Sequence, residues 1–368
     1  MRVNIRVRFA AFIFLAISSG FILSGCAPAL RVPAGTVEEA AVEAEKEREI
    51  AFSVYVKRQD RLLDVAWPLM ASASALCKDD RNSIYGFIVH DKKSYDKEYS
   101  PIAQRYFALE GGVRVRYANP NLPAGKAGLV KGDIIRSING VSNGGMDAKT
   151  VNEMLKGHDA SKPLSISAER DGNILNFNIE SIEACSYGVR LVAHDAVNAF
   201  ADGKNITVTS GMMRFAETDG EIALVVAHEI AHNALGHITK RIGTATLGTI
   251  FDILIYSTTG VDTQGLFTKL GAQAFSQQFE MEADYAGLYI AARADYDIKD
   301  APLFWRKMAA EYPSSIKESF MSTHPSSPKR FVALENTVGE IARKKRQDLP
   351  LLPDEKKQAE DKKPEPPE

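Results

Sequence analysis

The stretch Val225-Val226-Ala227-His228-Glu229-Ile230-Ala231-His232 constrains this chain more than any other. It is an apolar run without Gly or Pro that ends in His-Glu-x-x-His. At 3.6 residues per turn, His228 and His232 stand one above the other on one helix face. Two imidazoles in that arrangement can bind a single tetrahedral metal ion, and zinc is the usual occupant. Glu229 is rotated off the ligand face, beside the place of a metal-bound water. A carboxylate there can take the proton from that water as it attacks a carbonyl. The apolar residues before the motif predict a buried, rigid helix. The bland alternative is an ordinary amphipathic helix that carries two histidines.

A catalytic site needs a third ligand. Gln277-Gln278-Phe279-Glu280-Met281-Glu282-Ala283-Asp284 continues helically through Tyr289. Glu280 and Asp284 are spaced i, i+4 and share a face, whereas Glu282 points elsewhere. Glu280 can complete a His/His/Glu set and leave the fourth position to water. Asp284, one turn on, is placed to orient a ligand imidazole through its other ring nitrogen. Spacing alone is equally compatible with an acidic, solvated helix face. The metzincin continuation is absent, because the glycine falls at 236 instead of 235 and residue 238 is Ile. His237 is therefore expected in a polar role beside the ligands and not as a ligand.

These motifs are preceded by Asn198-Ala199-Phe200-Ala201 and Ile206-Thr207-Val208-Thr209-Ser210-Gly211. They are followed by Ser322-Thr323-His324-Pro325-Ser326-Ser327-Pro328-x-Arg330. Together, over residues 186 to 335, they resemble the HtpX, BepA and CAAX-prenyl-protease family of gluzincins. The resemblance implies an α+β fold: a mainly helical, zincin-type metallopeptidase domain with a small edge-strand sheet. It implies one Zn2+ per chain, with His228, His232 and Glu280 as ligands and Glu229 as general base. It further implies that the strand Ile206, Thr207, Val208, Thr209 is the active-site edge on which an extended peptide pairs. His324 should then lie near the zinc, steadying the tetrahedral intermediate or capping the metal in a resting state. Without the resemblance, a histidine before a proline is most simply a loop residue.

The rest of the chain gives the setting. Its 368 residues allow two or three domains, and 45% hydrophobic with 25% charged residues is ordinary globular composition. A net charge of −2 gives no reason to expect nucleic acid as a partner. Arg2, Arg6 and Arg8 precede an uncharged apolar stretch from Phe9 to Leu23, the layout of a secretory signal (1–25). The ending Leu23-Ser24-Gly25-Cys26 resembles a bacterial lipobox, which implies cleavage before Cys26 and its lipidation. Ala27 then favours outer-membrane sorting, with acyl chains holding the protein on the membrane and facing the periplasm. Residues 26–45 read as a tether and 46–107 as the N-terminal helical part of the peptidase domain. With Cys26 lipidated, Cys77 and Cys185 remain. Two cysteines pair readily in an oxidising compartment, and these flank the next domain, so a disulfide at the base of an insertion is expected. Buried free thiols are the alternative.

Between the cysteines, Gly111 to Tyr117 alternates like a strand, and Leu164–Arg170 and Ile174–Ile179 are strands joined by an Asp171-Gly172 turn. The run Ala127-Gly128-Leu129-Val130-Lys131-Gly132-Asp133-Ile134-Ile135-Arg136-Ser137-Ile138-Asn139-Gly140 resembles a PDZ domain of bacterial envelope proteases, over residues 108–182. That resemblance implies capture of extended chains or C-termini as an added strand, with a carboxylate-binding loop around Leu109–Gly112. A mere spacer shaping access to the zinc is the alternative. The peptidase domain resumes at 183–342. Its Gly/Thr-rich, apolar segment 242–275 is too short to span a bilayer and reads as a lid, a groove wall or part of the core. His90, His158 and His194 have no partner at ligand spacing. The charged tail 343–368 is expected to be disordered.

The expected function is a lipid-anchored zinc endopeptidase of the bacterial cell envelope, acting on misfolded or misassembled proteins. An alternative is a latent or non-proteolytic PDZ-based binding or assembly factor whose zinc site is capped by His324.

Overall fold

The computed structural model describes residues 33–238, 277–311, 324 and 326–355. Cys26 with its lipobox, the 242–275 segment and residues 356–368 lie outside them.

The chain divides into units of residues 1–50 and 51–368. In the first, the described residues are the start of helix α1 (Val37–Ser72). Thr36 Oγ1 accepts from Glu39 N–H at 3.2 Å, and the Glu39 carboxylate accepts from Thr36 N–H at 2.7 Å, a reciprocal capping box. Exposed pairs Lys46–Glu43 and Arg48–Glu45 line the next turns.

The second unit opens with the rest of α1, which buries Phe52 and Val56 against Ile102 and Leu109 and, on another side, Leu62, Val65 and Leu69 in the main core. The elements that follow are β1 (Arg81–Ile84), β2 (Phe87–His90), α2 (Ser100–Phe107), β3 (Arg114–Ala118), α3 (Pro123–Lys126), β4 (Ile134–Ile138) and β5 (Val141–Ser142). Next come α4 (Ala148–Gly157), β6 (Leu164–Arg170), β7 (Asn173–Ile179), β8 (Ile182–Cys185), β9 (Gly188–Val192), β10 (Ala199–Ala201) and β11 (Asn205–Thr209). The chain ends with α5 (Ser210–Phe215), α6 (Asp219–Ala234), α7 (Gln277–Arg293), α8 (Ala301–Glu311) and α9 (Pro328–Arg346).

Cys77 and Cys185 are joined by a disulfide, with Cα atoms 5.6 Å apart. Directly beside it, β1 and β8 form an antiparallel ribbon with Arg81 opposite Cys185. This stem carries an antiparallel sheet of order β2-β3-β4-β6-β7, with β5 on β4 and a core that includes Val89, Val115, Ile135, Val151 and Ile166. Residues 46–107 are therefore not helical throughout. They contain β1 and β2, and β2 belongs to the sheet that was expected to start at 108. A four-residue strand is too short to announce itself by alternation. The position of the edge also moves: Leu109–Gly112 leads into β3, an interior strand, whereas the edge strand β2 is entered through Tyr85-Gly86.

The inserted domain is docked on α1. The Arg116 guanidinium reaches Asp60 and Gln59, Tyr117 O–H donates to Asp64 at 2.6 Å, and Lys131 pairs with Asp60 at 3.1 Å. Pro68 inside α1 has no N–H to offer the carbonyl of Asp64 four residues back. The Asn119 side chain donates to that same carbonyl at 3.4 Å. A break in the helix ladder is thus answered by the docked domain. On another side of α1, Arg61 donates to Asp219 at 2.7 Å and to the Glu217 carbonyl at 3.0 Å, holding the entry to α6.

The peptidase part is built around α6, buried from Ile222 to Asn233 and started by a Thr218/Glu221 capping box. It packs against α7 and the small sheet of order β10-β11-β9. In that sheet β11 is antiparallel to β10 and parallel to β9. The strand Ile206–Thr209 was expected at the edge; it lies in the middle, paired on both sides, and among the described residues β10 and β9 are the edges.

The tail expectation also changes. The α9 helix runs to Arg346, and Lys344 is buried, donating to Asp354 at 2.6 Å and to the Leu352 carbonyl at 2.8 Å. Tyr285 and Tyr289 of α7 both donate to Glu340 of α9, and the Tyr285 hydroxyl accepts from Asp354 N–H at 3.0 Å, which ties the segment up to Asp354 in place. No helix among the described residues is long and apolar enough to cross a membrane.

The disulfide closes a loop with a sequence separation of 108. Replacing Cys77 and Cys185 together by Ala is expected to cost about 2–4 kcal/mol of stability. Chemical denaturation of the two proteins checks this, and an unshifted midpoint contradicts it.

Candidate metal centre

Helix α6 presents His228 and His232, and α7 presents Glu280 and Asp284. All four side chains are buried to 3% exposure or less. The two helices come close because position 287 is Gly. A Cβ there would lie 3.1 Å from His228 N and 3.2 Å from Ala227 C. The approach lets Glu280 reach both imidazoles.

The Nε2 atoms of His228 and His232 are 3.0 Å apart. Glu280 lies 3.5 Å from the first and 3.4 Å from the second. His324 completes the group, its Nδ1 3.1 Å from Glu280 Oε1 and 3.3 Å from His228 Nε2. These separations match the edges of a tetrahedron with bonds of about 2.0–2.1 Å, roughly 3.3–3.4 Å. Three imidazole nitrogens and a carboxylate oxygen make a donor set suited to zinc.

The charges agree with this fit. Glu229, Glu280, Asp284 and Arg330 are buried together. Three carboxylates and one guanidinium leave two negative charges, which one divalent cation cancels. Among the described residues, Glu229 Oε2 is buried with no hydrogen-bond partner. Its carboxyl is pushed above the ordinary range by burial. Burial also drives Glu280 and Asp284 upward, but His324 and Arg330 outweigh it for Glu280, and Arg330 and His228 for Asp284, so both end below the usual range. For His228, burial disfavours the charged ring, yet contact with Asp284 and Glu280 brings it up to about 10. His232 is pushed well down by burial.

Each of the two α6 imidazoles is braced through its second nitrogen. His228 Nδ1 lies 3.0 Å from Asp284 Oδ1. Arg330 grips Asp284 with two bonds of 2.8 and 2.9 Å, reaches Glu280 at 2.9 Å and lies over the Trp305 ring. His232 Nδ1 meets His237 Nδ1 at 3.0 Å, and His237 Nε2 faces Glu282 at 3.2 Å while its ring stacks on Phe279. So His237 is a brace, and Glu282, assigned by helix geometry to another face, contacts it from there. Arg330 had no local signal beyond its place after the His-Pro motif, since its partners lie 46 residues away.

The small sheet borders the same place. The backbone N–H of Ala201 in β10 points at the Glu229 carboxylate. Asn198 C=O accepts from Thr209 N–H, and Asp202 N–H donates to Asn205 C=O. In the alternating antiparallel pattern, Ala199 and Ala201 then turn their N–H and C=O groups away from β11. The strand beside the donor group is β10, and Ile206, Thr207, Val208 and Thr209 stand behind it.

Residues 176–338 match the model of Peptidase family M48, and residues 114–165 match a PDZ domain. Over residues 176–338 the chain is similar to peptidase family M48. Enzymes of this family are zinc enzymes, in accord with the donor set. Among relatives, Mitochondrial metalloendopeptidase OMA1 of Arabidopsis thaliana is 31% identical over 151 residues, 40% of this chain and 31% of that protein. Beta-barrel assembly-enhancing protease of Yersinia pestis is 31% identical over 186 residues, 46% of this chain and 38% of that protein. The chain thus spans between three and four tenths of the length of these two relatives. The crystal structure of the HtrA3 PDZ domain bound to a phage-derived ligand matches with TM-score 0.22 at 20% identity, over 28% of this chain and 88% of that one.

Arg330→Gln removes the charge that Asp284 and Glu280 share. It is expected to weaken zinc binding about 10- to 100-fold, measured by competition with a chromogenic chelator. Zinc affinity equal to wild type contradicts the bracing role.

Proposed function

We propose that the protein is a zinc metalloendopeptidase with an inserted PDZ domain, working at the bacterial cell envelope and anchored there by lipid on Cys26. The observation that carries the reading is the buried convergence of His228, His232 and Glu280 with a Glu229 carboxylate whose Oε2 has no hydrogen-bond partner among the described residues, beside the edge strand β10. His228, His232 and Glu280 hold the metal, and Asp284 orients His228. Zinc, when bound, polarises the scissile carbonyl and makes water acidic enough to attack at neutral pH.

The chain's own residues do the rest. An extended substrate pairs along the outer edge of β10 through the Ala199 and Ala201 carbonyls, which replaces the 206–209 strand in that role. The pairing lays the scissile bond across the Glu229 face of α6. Glu229 takes a proton from the attacking water and returns it to the leaving amine, and its burial-raised basicity suits both transfers. The PDZ domain gathers extended chains or C-termini, and misfolded or misassembled envelope proteins are the substrates this combination serves. The OMA1 relatives are named mitochondrial. The lipobox-like Leu23-Ser24-Gly25-Cys26 is what supports an envelope location here; mass spectrometry of the membrane-bound protein is expected to find acyl chains on Cys26, and an unmodified thiol there contradicts the anchor.

His324 favours a second reading, a latent enzyme that acts mainly as a PDZ-based binding or assembly factor. Its Nδ1 sits where a fourth ligand sits, and its Nε2 is 3.4 Å from Glu229. In this arrangement His324 covers the place that the substrate needs.

Glu229→Gln is expected to keep one zinc per chain and to lower casein cleavage by about 100-fold or more; cleavage at the wild-type rate contradicts the mechanism. His324→Ala separates the two roles of that residue. If His324 caps the metal, basal casein cleavage rises severalfold, the outcome expected from its position. A tenfold fall assigns it to stabilising the intermediate.

A further inference from the structure

The structure assigns a further role, which rests on the endopeptidase reading: we propose that Asn233 is a positioning residue that fixes the substrate-pairing strand β10 against the ligand helix. Asn233 follows His232 directly and stands four residues after Glu229. Glu229 and Asn233 therefore share a face of α6 in the same i, i+4 relation as the two histidines. One face of the helix holds the metal ligands. The adjacent face holds the β10–β11 hairpin.

The Asn233 carboxamide oxygen accepts from Gly203 N–H at 2.8 Å, and its amide donates to Asn205 C=O at 3.2 Å. The residue is buried, and both bonds need one acceptor and one donor on the same short side chain. The turn is shaped to meet it. The Asp202 carboxylate accepts from Lys204 N–H at 2.8 Å, Asn205 N–H at 2.6 Å and the Asn205 amide at 2.8 Å. Gly203 takes φ +92°, a conformation that favours glycine. Asp202 N–H to Asn205 C=O, at 3.1 Å, then starts the ladder that places Phe200 opposite Thr207.

Ala201 lies two residues before Gly203, so a shift at the turn passes straight to the outward carbonyls that a substrate strand uses. It also moves the Ala201 N–H that faces Glu229. A misplacement of about 1 Å at such a point is enough to cost on the order of a hundredfold in rate. Asn233 holds that position through backbone groups alone, so its effect falls on extended substrates and not on the metal.

The test compares wild type, Asn233→Ala and Asn233→Asp in the full chain. The alanine variant loses both bonds, and the aspartate variant keeps the acceptor for Gly203 N–H and loses the donor. Both are expected to carry one zinc per chain. On β-casein, kcat/KM should fall about tenfold or more for Asn233→Ala, chiefly through KM, with Asn233→Asp between it and wild type. In a Glu229→Gln background, a fluorescein-labelled β-casein decapeptide should bind about tenfold more weakly once Asn233→Ala is added. Unchanged KM and peptide affinity overturn the proposal, as does loss of zinc from a folded Asn233→Asp protein, which would make Asn233 a support for His232. If Asn233→Ala does not fold, Asn233→Asp decides by the same measurements. If wild type cleaves no casein, the endopeptidase reading falls, and peptide binding to the Glu229→Gln chain still decides the role of Asn233.

Discussion

A carboxylate on one helix must reach two imidazoles on another, and the rest of the structure is arranged to keep it there. Glu280 sits 3.4–3.5 Å from both Nε2 atoms, fully buried. Burying that carboxylate beside Glu229 and Asp284 is costly unless positive charge answers it. Arg330 supplies part of the answer, and a bound dication supplies the remainder. The close packing of α6 and α7 at Gly287 sets the reach, and the contacts of Asp284 and His237 set the orientation of the two rings. Metal binding and the packing of these helices are in this sense one problem.

The same helix is held from outside the core. Arg61 of α1 grips the turn before α6, and the inserted domain grips α1 through Arg116, Tyr117 and Asn119. One helix therefore touches both the PDZ-like inserted domain and the entry to the helix that carries His228 and His232. The disulfide and the β1–β8 ribbon fix the stem of the insertion. At the far end, α9 and the segment to Asp354 are tied to Tyr285 and Tyr289 of the helix that carries Glu280.

What could be read in the sequence was local. The i, i+4 spacing placed His228 with His232 and Glu280 with Asp284, and the structure brings those two pairs together. Glycine-bounded alternation found β6, β7 and their Asp171-Gly172 turn. Non-local pairing was not legible. Ala199–Ala201 and Ile206–Thr209 both suit a strand, and which is the edge depends on β9 arriving in parallel beside β11. β2 is too short to show a period, and its partner β3 starts only after an intervening helix. The braces were hidden for the same reason: Arg330 meets Asp284 across 46 residues and Glu282 meets His237 across 45. The charged composition of 343–355 suggested disorder, because a buried Lys344 looks like a solvent residue until Asp354 and Leu352 close over it.

The most direct measurement is the metal content of purified protein by inductively coupled plasma mass spectrometry, for the wild-type chain and for the double variant His228→Ala/His232→Ala. The account predicts one zinc per wild-type chain and essentially none in the variant. A wild-type protein without stoichiometric zinc, or a folded double variant that still carries one, contradicts it.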